Sequence, residues 1–142
     1  MIATIPVGAS PTAVAVNPNT NRIYVASSDG TLSVVDGTSN TVVTKTVIAP
    51  PRTDPSQTFQ ITGPHSVAVN QATERVYVST NQFEANVISE LGAVIVLDGT
   101  TMERIASVNL GLFSRPDQFR GIAVDSTHNR VYVTGRATDS SI

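Results

Sequence analysis

One short phrase occurs three times in this chain: NRIYVA at residues 21–26, ERVYVS at residues 74–79 and NRVYVT at residues 129–134. Each copy follows an apolar triplet, Val-Ala-Val or Ile-Ala-Val, whose last residue lies eight positions before the tyrosine. The tyrosines Tyr24, Tyr77 and Tyr132 are separated by 53 and 55 residues. A repeat of this length indicates an array of supersecondary units, each too small to bury its own faces.

Two further matches extend the repeat beyond this phrase. SVVDGT at residues 33–38 recurs as IVLDGT at residues 95–100, after the first and second copies respectively. IATIPVG at residues 2–8 resembles IASVNLG at residues 105–111, which follows the second copy. The chain is therefore expected to begin with the last element of a repeat unit.

Each unit predicts four short strands. In the first unit they cover about residues 13–16, 22–27, 31–35 and 41–47, separated by NPNTN and by two Asp-Gly turns. The third strand is apolar on both faces and should have a sheet on either side, whereas the more polar fourth strand should lie outermost. The first strands contain small alanines, which would allow the sheets to approach closely around a shared axis. Residues 83–91 carry a weak helical spacing and are predicted to form a loop with one or two helical turns.

The pattern predicts an all-β fold, a segment of a β-propeller built from four-stranded antiparallel meander blades. It contains about two and a half blades of an incomplete ring. The predicted division is an outer strand of a preceding blade (1–8), a first complete blade (9–48), an inter-blade loop (49–63), a second complete blade (64–111) with a long internal loop (80–92), and an incomplete third blade (112–142).

The three tyrosine phrases, with their preceding strands and the Asp-Gly-Thr turns that follow two of them, resemble YVTN-type β-propeller repeats. The resemblance covers nearly the whole chain apart from its insertions. It implies the propeller fold and a relation to archaeal surface-layer proteins, exported bacterial propellers, and quinoprotein dehydrogenase-like and haem d1-type blades. It is specific for the fold and weak for function, because one scaffold hosts many chemistries.

Composition excludes several classes of function. Charged residues make up 14% of the chain, the net charge is −2 and Lys45 is the single lysine, so the basic patch that nucleic-acid binding requires is missing. No apolar run reaches the eighteen or so residues that span a bilayer. With no cysteine, disulfides and thiolate chemistry are excluded. Abundant Thr, Ser and Asn with scarce Lys favours a periplasmic, secreted or cell-surface location.

Sequence variation among the units points to one end of the blades as the binding face. The turns NPNTN, NQATE and DSTHN are equal in length, whereas residues 49–63, 80–92 and 112–118 vary and should project from the opposite end. Long connections on a rigid repeat array often bind ligands. The candidate residues on or near this face are His65, Arg120, Arg52, Asp54, Glu84, Glu90, Arg115 and Asp117.

His65 has two interpretations. It begins the first strand of the second blade, at a position matched by Thr12 and Arg120, and related propeller lyases use histidines around the axial opening; the resemblance implies contact with a ligand or metal. In the other interpretation, which we favour, it bonds to neighbouring loop carbonyls. His128 lies in a uniform turn and is interpreted as structural, as are Arg22, Arg75 and Arg130, which recur before each tyrosine.

The function predicted from these patterns is a non-catalytic propeller scaffold that binds a protein or a small polar ligand, as a fragment of a larger exported or cell-surface protein. The alternative is part of a propeller enzyme, a lyase or a quinoprotein-like oxidoreductase, with an axial pocket lined by His65 and Arg120. We predict no catalytic residue, cofactor or metal for this chain. Its open blade edges allow self-association.

Overall fold

The computed structural model describes residues 3–48, 63–82, 90–113 and 119–135. The described residues form ten β-strands and no helix. In the first half these are β1 (Pro11–Asn17), β2 (Arg22–Ser27), β3 (Thr31–Asp36), β4 (Thr41–Val47) and β5 (Ser66–Asn70). In the second half they are β6 (Arg75–Gln82), β7 (Glu90–Asp98), β8 (Arg104–Phe113), β9 (Phe119–Asp125) and β10 (Arg130–Gly135). Consequently no helix in the described ranges is long and apolar enough to cross a membrane.

The strands form three antiparallel sheets in sequence order. The first sheet is β1-β2-β3-β4, the second is β5-β6-β7-β8, and β9 pairs with β10 in a two-stranded third sheet. Every connection within a sheet joins adjacent strands, so the first two sheets are four-stranded meanders. The predicted all-β fold of meander blades is confirmed.

The repeated tyrosine occupies the same place in each sheet. In the second strand of its sheet each tyrosine pairs with an alanine of the first strand: Tyr24 with Ala15, Tyr77 with Ala68 and Tyr132 with Ala123. Because side chains alternate across a strand, these registers place every tyrosine on the same side of its sheet. The sequence repeat is therefore a structural repeat, residue by residue.

Hydrophobic side chains are packed between successive sheets. One buried cluster joins the tyrosine side of the first sheet, including Tyr24 and Leu32, to residues of the second sheet such as Val76 and Ile95. A second cluster joins the tyrosine side of the second sheet to β9 and β10. The sheets approach each other along β1, β5 and β9. β3 and most of β7 are buried on both faces, as their sequences predict. β7 has a neighbouring sheet on each side, and β3 has the second sheet on its tyrosine side.

Two segments differ in detail from the predicted boundaries. The β6–β7 ladder continues through the pair of Gln82 and Leu91, so strands enter the range 80–92 assigned to a loop; residues 83–89 lie outside the described part. This ladder is three pairs longer than that of β2 and β3, which ends at Ala26 and Leu32. Residues 3–7 form no strand. In the first sheet β4 takes the place of the fourth strand, so residues 3–7 have no described third strand to pair with.

A tyrosine hydroxyl fastens the first sheet to the second. Tyr24 is fully buried and its hydroxyl donates a hydrogen bond of 3.0 Å to the carbonyl oxygen of Gly99, in the turn between β7 and β8. Burial raises the pKa of this phenol, so it keeps its proton and its role as donor at neutral pH. The predicted function of the tyrosine, packing between blades with a bonded hydroxyl, is confirmed for Tyr24.

Replacing Tyr24 by phenylalanine removes this bond and leaves the Gly99 carbonyl without its donor. We expect Tyr24→Phe to lower the free energy of unfolding by about 1–2 kcal/mol, measured by chemical denaturation of dilute protein. Tyr132→Phe is the matched control, because Tyr132 is largely exposed, and should change stability by less than about 0.5 kcal/mol. Equal losses in the two variants would contradict the assigned role of the inter-sheet bond.

The turn that precedes each tyrosine strand contains a residue in the left-handed backbone region. Asn21, Glu74 and Asn129 occupy this position with φ of 51°, 53° and 54°. Asparagine tolerates this conformation better than other non-glycine residues, whereas glutamate does not share this preference. The second repeat therefore carries backbone strain that the first and third avoid.

Glu74→Asn is expected to stabilise the protein by about 0.5–1 kcal/mol, because it relieves that strain. The measurement is the midpoint of urea unfolding. Glu74→Gln removes the same charge while keeping the unfavourable preference, so it serves as the control and should have little effect. If Glu74→Gln raised the stability as much as Glu74→Asn, the cause would be removal of the charge and not relief of backbone strain.

Candidate functional site

The two ends of the sheets are built differently. We call the end that carries the β1–β2, β3–β4, β5–β6, β7–β8 and β9–β10 connections the turn end. There the first strands finish in Asn17, Asn70 and Asp125, whose side-chain oxygens accept hydrogen bonds from backbone amides two residues later. The third strands finish in Asp36 and Asp98, which accept from the amides two and three residues later. The turn end is thus a repeated, internally bonded surface.

Hydrogen bonds at the turn end stabilise ionised carboxylates. The pKa of Asp36 is lowered chiefly by the Ser39 and Thr38 amides, and that of Asp98 chiefly by the Thr101 and Thr100 amides. The pKa of Asp125 is lowered first by the His128 side chain, whose Nδ1 lies 2.7 Å from the carboxylate. This contact supports the structural interpretation of His128.

These lowered pKa values predict an acid-dependent loss of stability. A carboxyl whose folded pKa lies below its unfolded value of 3.8 stabilises the fold fully above that value. Its contribution disappears as the pH falls through the folded pKa. We expect the melting temperature to hold down to about pH 4 and to fall below it.

The control is a double variant, Asp36→Asn with Asp98→Asn. An amide oxygen still accepts the backbone N–H groups but does not titrate, so the acid-induced drop in melting temperature between about pH 4 and pH 2 should become smaller. It should not vanish, because Asp125 also has a lowered pKa. A drop equal to that of the original protein would show that these two turns do not contribute.

The opposite end, which we call the loop end, comprises the starts of β1, β5 and β9 with the ends of β2, β6 and β10. Adjacent first strands are joined there. The Thr12 hydroxyl lies 2.7 Å from the carbonyl oxygen of Pro64 and 3.2 Å from that of Ala26. A hydroxyl has one proton, so the shorter contact to Pro64 is the stronger bond. It links the first sheet to the residue that directly precedes His65.

His65 is held in place by its backbone. Its amide donates a 2.9 Å hydrogen bond to the Ser79 carbonyl oxygen, which continues the β5–β6 ladder by one step beyond the strand. The residue is half-buried, and its ring atom Nε2 is shielded from solvent. Contact between a ligand and this nitrogen would therefore require movement of the residues around it.

Small hydroxyl residues end the second strands and were not singled out from the sequence. Ser27 closes β2, and the matching stretch of β6 contains Ser79 and Thr80; all three are fully buried. Ser79 Oγ lies 3.5 Å from the Ser66 carbonyl oxygen. The signal that could have revealed two of them is the hydroxyl residue directly after the tyrosine phrase in the first two repeats, Ser27 and Thr80; the third repeat has Gly135 there.

Asp29 organises the loop end of the first sheet. Its carboxylate accepts hydrogen bonds from the Thr31 amide and hydroxyl and from the Ala9 amide, and Lys45 Nζ lies 3.6 Å away. Partial burial opposes ionisation, but the bonds from Thr31 and Ala9 together with Lys45 outweigh it and lower the pKa of Asp29. The carboxylate is therefore occupied in tying the chain before β1 to the β2–β3 turn.

The structure locates only part of the predicted site. His65 and its counterpart Thr12 lie at the loop end, and Glu90 and Arg120 belong to β7 and β9, although their side chains are outside the described part. Five predicted residues lie outside the described ranges altogether: Arg52, Asp54, Glu84, Arg115 and Asp117. Within the described ranges, no group of three or more His, Cys, Asp or Glu side chains could hold a metal ion.

Solved structures similar to this fold include two of AztD from Citrobacter koseri. The structure of apo AztD matches with a TM-score of 0.53 and 20% identity over 77% of this chain, and a second AztD crystal structure matches with a TM-score of 0.51 and 21% identity over 73%. This chain spans 26% and 25% of those chains. No protein-family model and no curated protein matches the sequence. At this identity the similarity shows the propeller-like fold alone.

Proposed function

We propose that this chain is a non-catalytic propeller scaffold whose loop end binds a protein or a small polar ligand. The observation that carries the proposal is the contrast between the two ends. At the turn end, the described turns repeat the same kind of side-chain cap, and each contains a residue in the left-handed backbone region. At the loop end, the connections differ in length from sheet to sheet, and such variation on a rigid frame is typical of binding surfaces.

The described part of the loop end offers polar groups on a fixed frame. Ser28 donates its amide to the Ser10 carbonyl, and Ile48 donates to the Gly30 carbonyl, so the segments entering and leaving the first sheet are hydrogen-bonded to its β2–β3 turn. Thr12 joins this sheet to the next one. A preorganised surface loses little conformational entropy when it binds.

An exported or cell-surface protein is the setting that we propose for this scaffold. The resemblance to YVTN-type repeats and the composition, rich in Thr, Ser and Asn with a single lysine, support it. The alternative function is part of a propeller enzyme with an axial pocket at His65 and Arg120. A titration with millimolar Zn²⁺, followed by NMR of the His65 ring, tests that alternative: site-specific shifts would favour a pocket, and unchanged ring signals would oppose it.

The binding proposal is tested with a random peptide library displayed on phage and panned against the 142-residue chain. Selected peptides are then titrated into ¹⁵N-labelled protein. Amide shifts should concentrate at residues 10–12, 28–30, 64–66 and 79–80. Shifts concentrated at residues 18–21, 37–40, 71–74 and 99–102, or no enrichment of any peptide, would overturn the proposal.

A matched pair of threonines sharpens this experiment. Thr12→Val removes the hydroxyl that bonds to Pro64 at the loop end, whereas Thr38→Val removes the hydroxyl that accepts from Asn21 at the turn end. We expect Thr12→Val to weaken peptide binding about fivefold or more, since one hydrogen bond that fixes the surface is lost. Thr38→Val should leave the affinity unchanged.

A further inference from the structure

Two apolar surfaces at opposite ends of the stack are exposed although their repeat equivalents are buried. Val14 is 63% exposed, whereas Val67, at the same repeat position in the second sheet, is 6% exposed. Tyr132 is 53% exposed, whereas Tyr24 is 1% exposed. The residue types are the same, so the difference arises from the neighbouring sheet. Each interior position is covered by another sheet, whereas none of the described sheets covers Val14 or Tyr132.

The two exposed surfaces are of different and complementary kinds. We call the side of β1 and β2 that carries Val14, Val16, Ile23 and Val25 the valine face, and the side of β9 and β10 that carries Ala123 and Tyr132 the tyrosine face. Between the first and second sheets, a surface with the tyrosine covers a surface with the valines. The same pairing recurs between the second and third sheets. Every interior contact thus joins one face of each kind.

The polar contacts of the interior interfaces also have counterparts at the ends. Tyr24 donates to the carbonyl of Gly99, and Gly37 occupies the same Asp-Gly-Thr turn in the first sheet. The Gly37 amide donates to the Asn21 carbonyl at 2.9 Å, as the Gly99 amide donates to that of Glu74 at 2.7 Å, so both turns share one conformation. The Gly37 carbonyl can therefore accept a bond from a tyrosine in the position of Tyr132.

A second polar contact matches in chemical type. Asn70 Nδ2 donates to Asn129 Oδ1 at 2.9 Å between the second and third sheets. The equivalent pair across the two end faces is Asp125 with Asn21. The Asp125 carboxylate can accept a hydrogen bond from the Asn21 side-chain amide, so a bond can form at this position with its direction reversed.

We propose that the tyrosine face of one copy of this chain docks on the valine face of a second copy. This contact is head to tail, so it closes into a ring only when the rotation per sheet allows it. Propellers close with about four to eight blades, and two copies of this chain, each with three described sheets, would fall within that range. The proposal depends on the blade stack and not on the loop end, so either proposal can fail without the other.

Sedimentation velocity of the 142-residue chain between about 5 and 500 µM tests the proposal. The expected result is a dimer that forms with increasing concentration and then stops growing. A chain that stays monomeric over this range would overturn the proposal, and so would growth into species without a size limit.

Two variants show whether these faces make the contact. Val14→Asp blocks the valine face and Tyr132→Asp blocks the tyrosine face, and both residues are exposed in one copy, so circular dichroism should report an unchanged fold. Each variant alone should be monomeric. Mixed together they should form a one-to-one dimer through the remaining intact pair of faces. Wild-type association by either variant alone would overturn the proposal.

Tyr132→Phe provides a separate test that does not depend on the charged variants. It keeps the apolar surface and removes only the hydroxyl that would bond to Gly37 of the second copy. The dissociation constant should rise about five- to tenfold, as expected for loss of one interface hydrogen bond. An unchanged dissociation constant would show that the hydroxyl makes no bond and would overturn the proposed register.

Discussion

Ile95→Ala is expected to lower the free energy of unfolding by about 2–5 kcal/mol, which is a large part of the stability of a small domain. Ile95 is fully buried in β7, in the cluster that joins the first two sheets. Removal of the side-chain atoms beyond Cβ loses their favourable transfer free energy. It also leaves a cavity between the two sheets, which the packed sheets cannot fill by small shifts. Urea denaturation followed by circular dichroism gives the change directly.

Ile105→Ala is the matched control for this experiment. Ile105 lies on β8, the strand paired with β7, and is 48% exposed. The same atoms are removed, but solvent already covers about half of them and no cavity forms, so the expected loss is about 1 kcal/mol or less. Similar losses at the two positions would mean that the cluster between the sheets does not hold them together.

Gly99→Ala should destabilise the protein by about 1–3 kcal/mol, because the turn between β7 and β8 has no room for a side chain. A Cβ atom at Gly99 would overlap the backbone carbonyl oxygen of Glu74 and approach the Tyr24 hydroxyl to 3.3 Å. The backbone oxygen accepts the Gly99 amide and cannot rotate away. The turn must shift, and the bond from Tyr24 to the Gly99 carbonyl should be weakened with it.

Gly37→Ala tests the same turn where the obstacle is flexible. There a Cβ atom would meet the side-chain amide of Asn21, whose displacement costs its bond to Thr38. We expect a loss below about 1 kcal/mol, measured by thermal unfolding of both variants. If Gly37→Ala were as damaging as Gly99→Ala, the backbone overlap would not be the cause. Neither glycine has a positive φ, so alanine brings no backbone strain at either position.

The architecture was predictable because three copies of one pattern reinforce each other. The tyrosine phrase fixed the second strand of each sheet, and its register with the preceding alanine strand followed from alternation. The extension of β6 and β7 into the predicted loop was not predictable, because Asn81 and Gln82 do not alternate with apolar residues. Asn81 and Gln82 pair with β7 because the earlier, buried residue pairs of the same two strands already hold their backbones in register.

The repeat positions of two candidate residues were predictable, and their contacts were not. The starts of β1 and β5 were correctly matched, since Thr12 and His65 stand at the same point of the repeat. The bond from Thr12 to the residue before His65 joins groups 52 positions apart, so local spacing could not reveal it. The shielding of His65 Nε2 likewise depends on tertiary packing and not on local spacing.

The extra pairs at the tip of the β6–β7 ladder make this hairpin a suitable place to graft foreign peptides. β6 and β7 remain paired as far as Gln82 and Leu91, whereas the corresponding strands β2 and β3 stop pairing three residue pairs earlier. Doubling the length of the intervening segment would add only about 0.6 kcal/mol of closure entropy. An engineered epitope could be displayed there while the tight turn at Gly30 keeps its conformation.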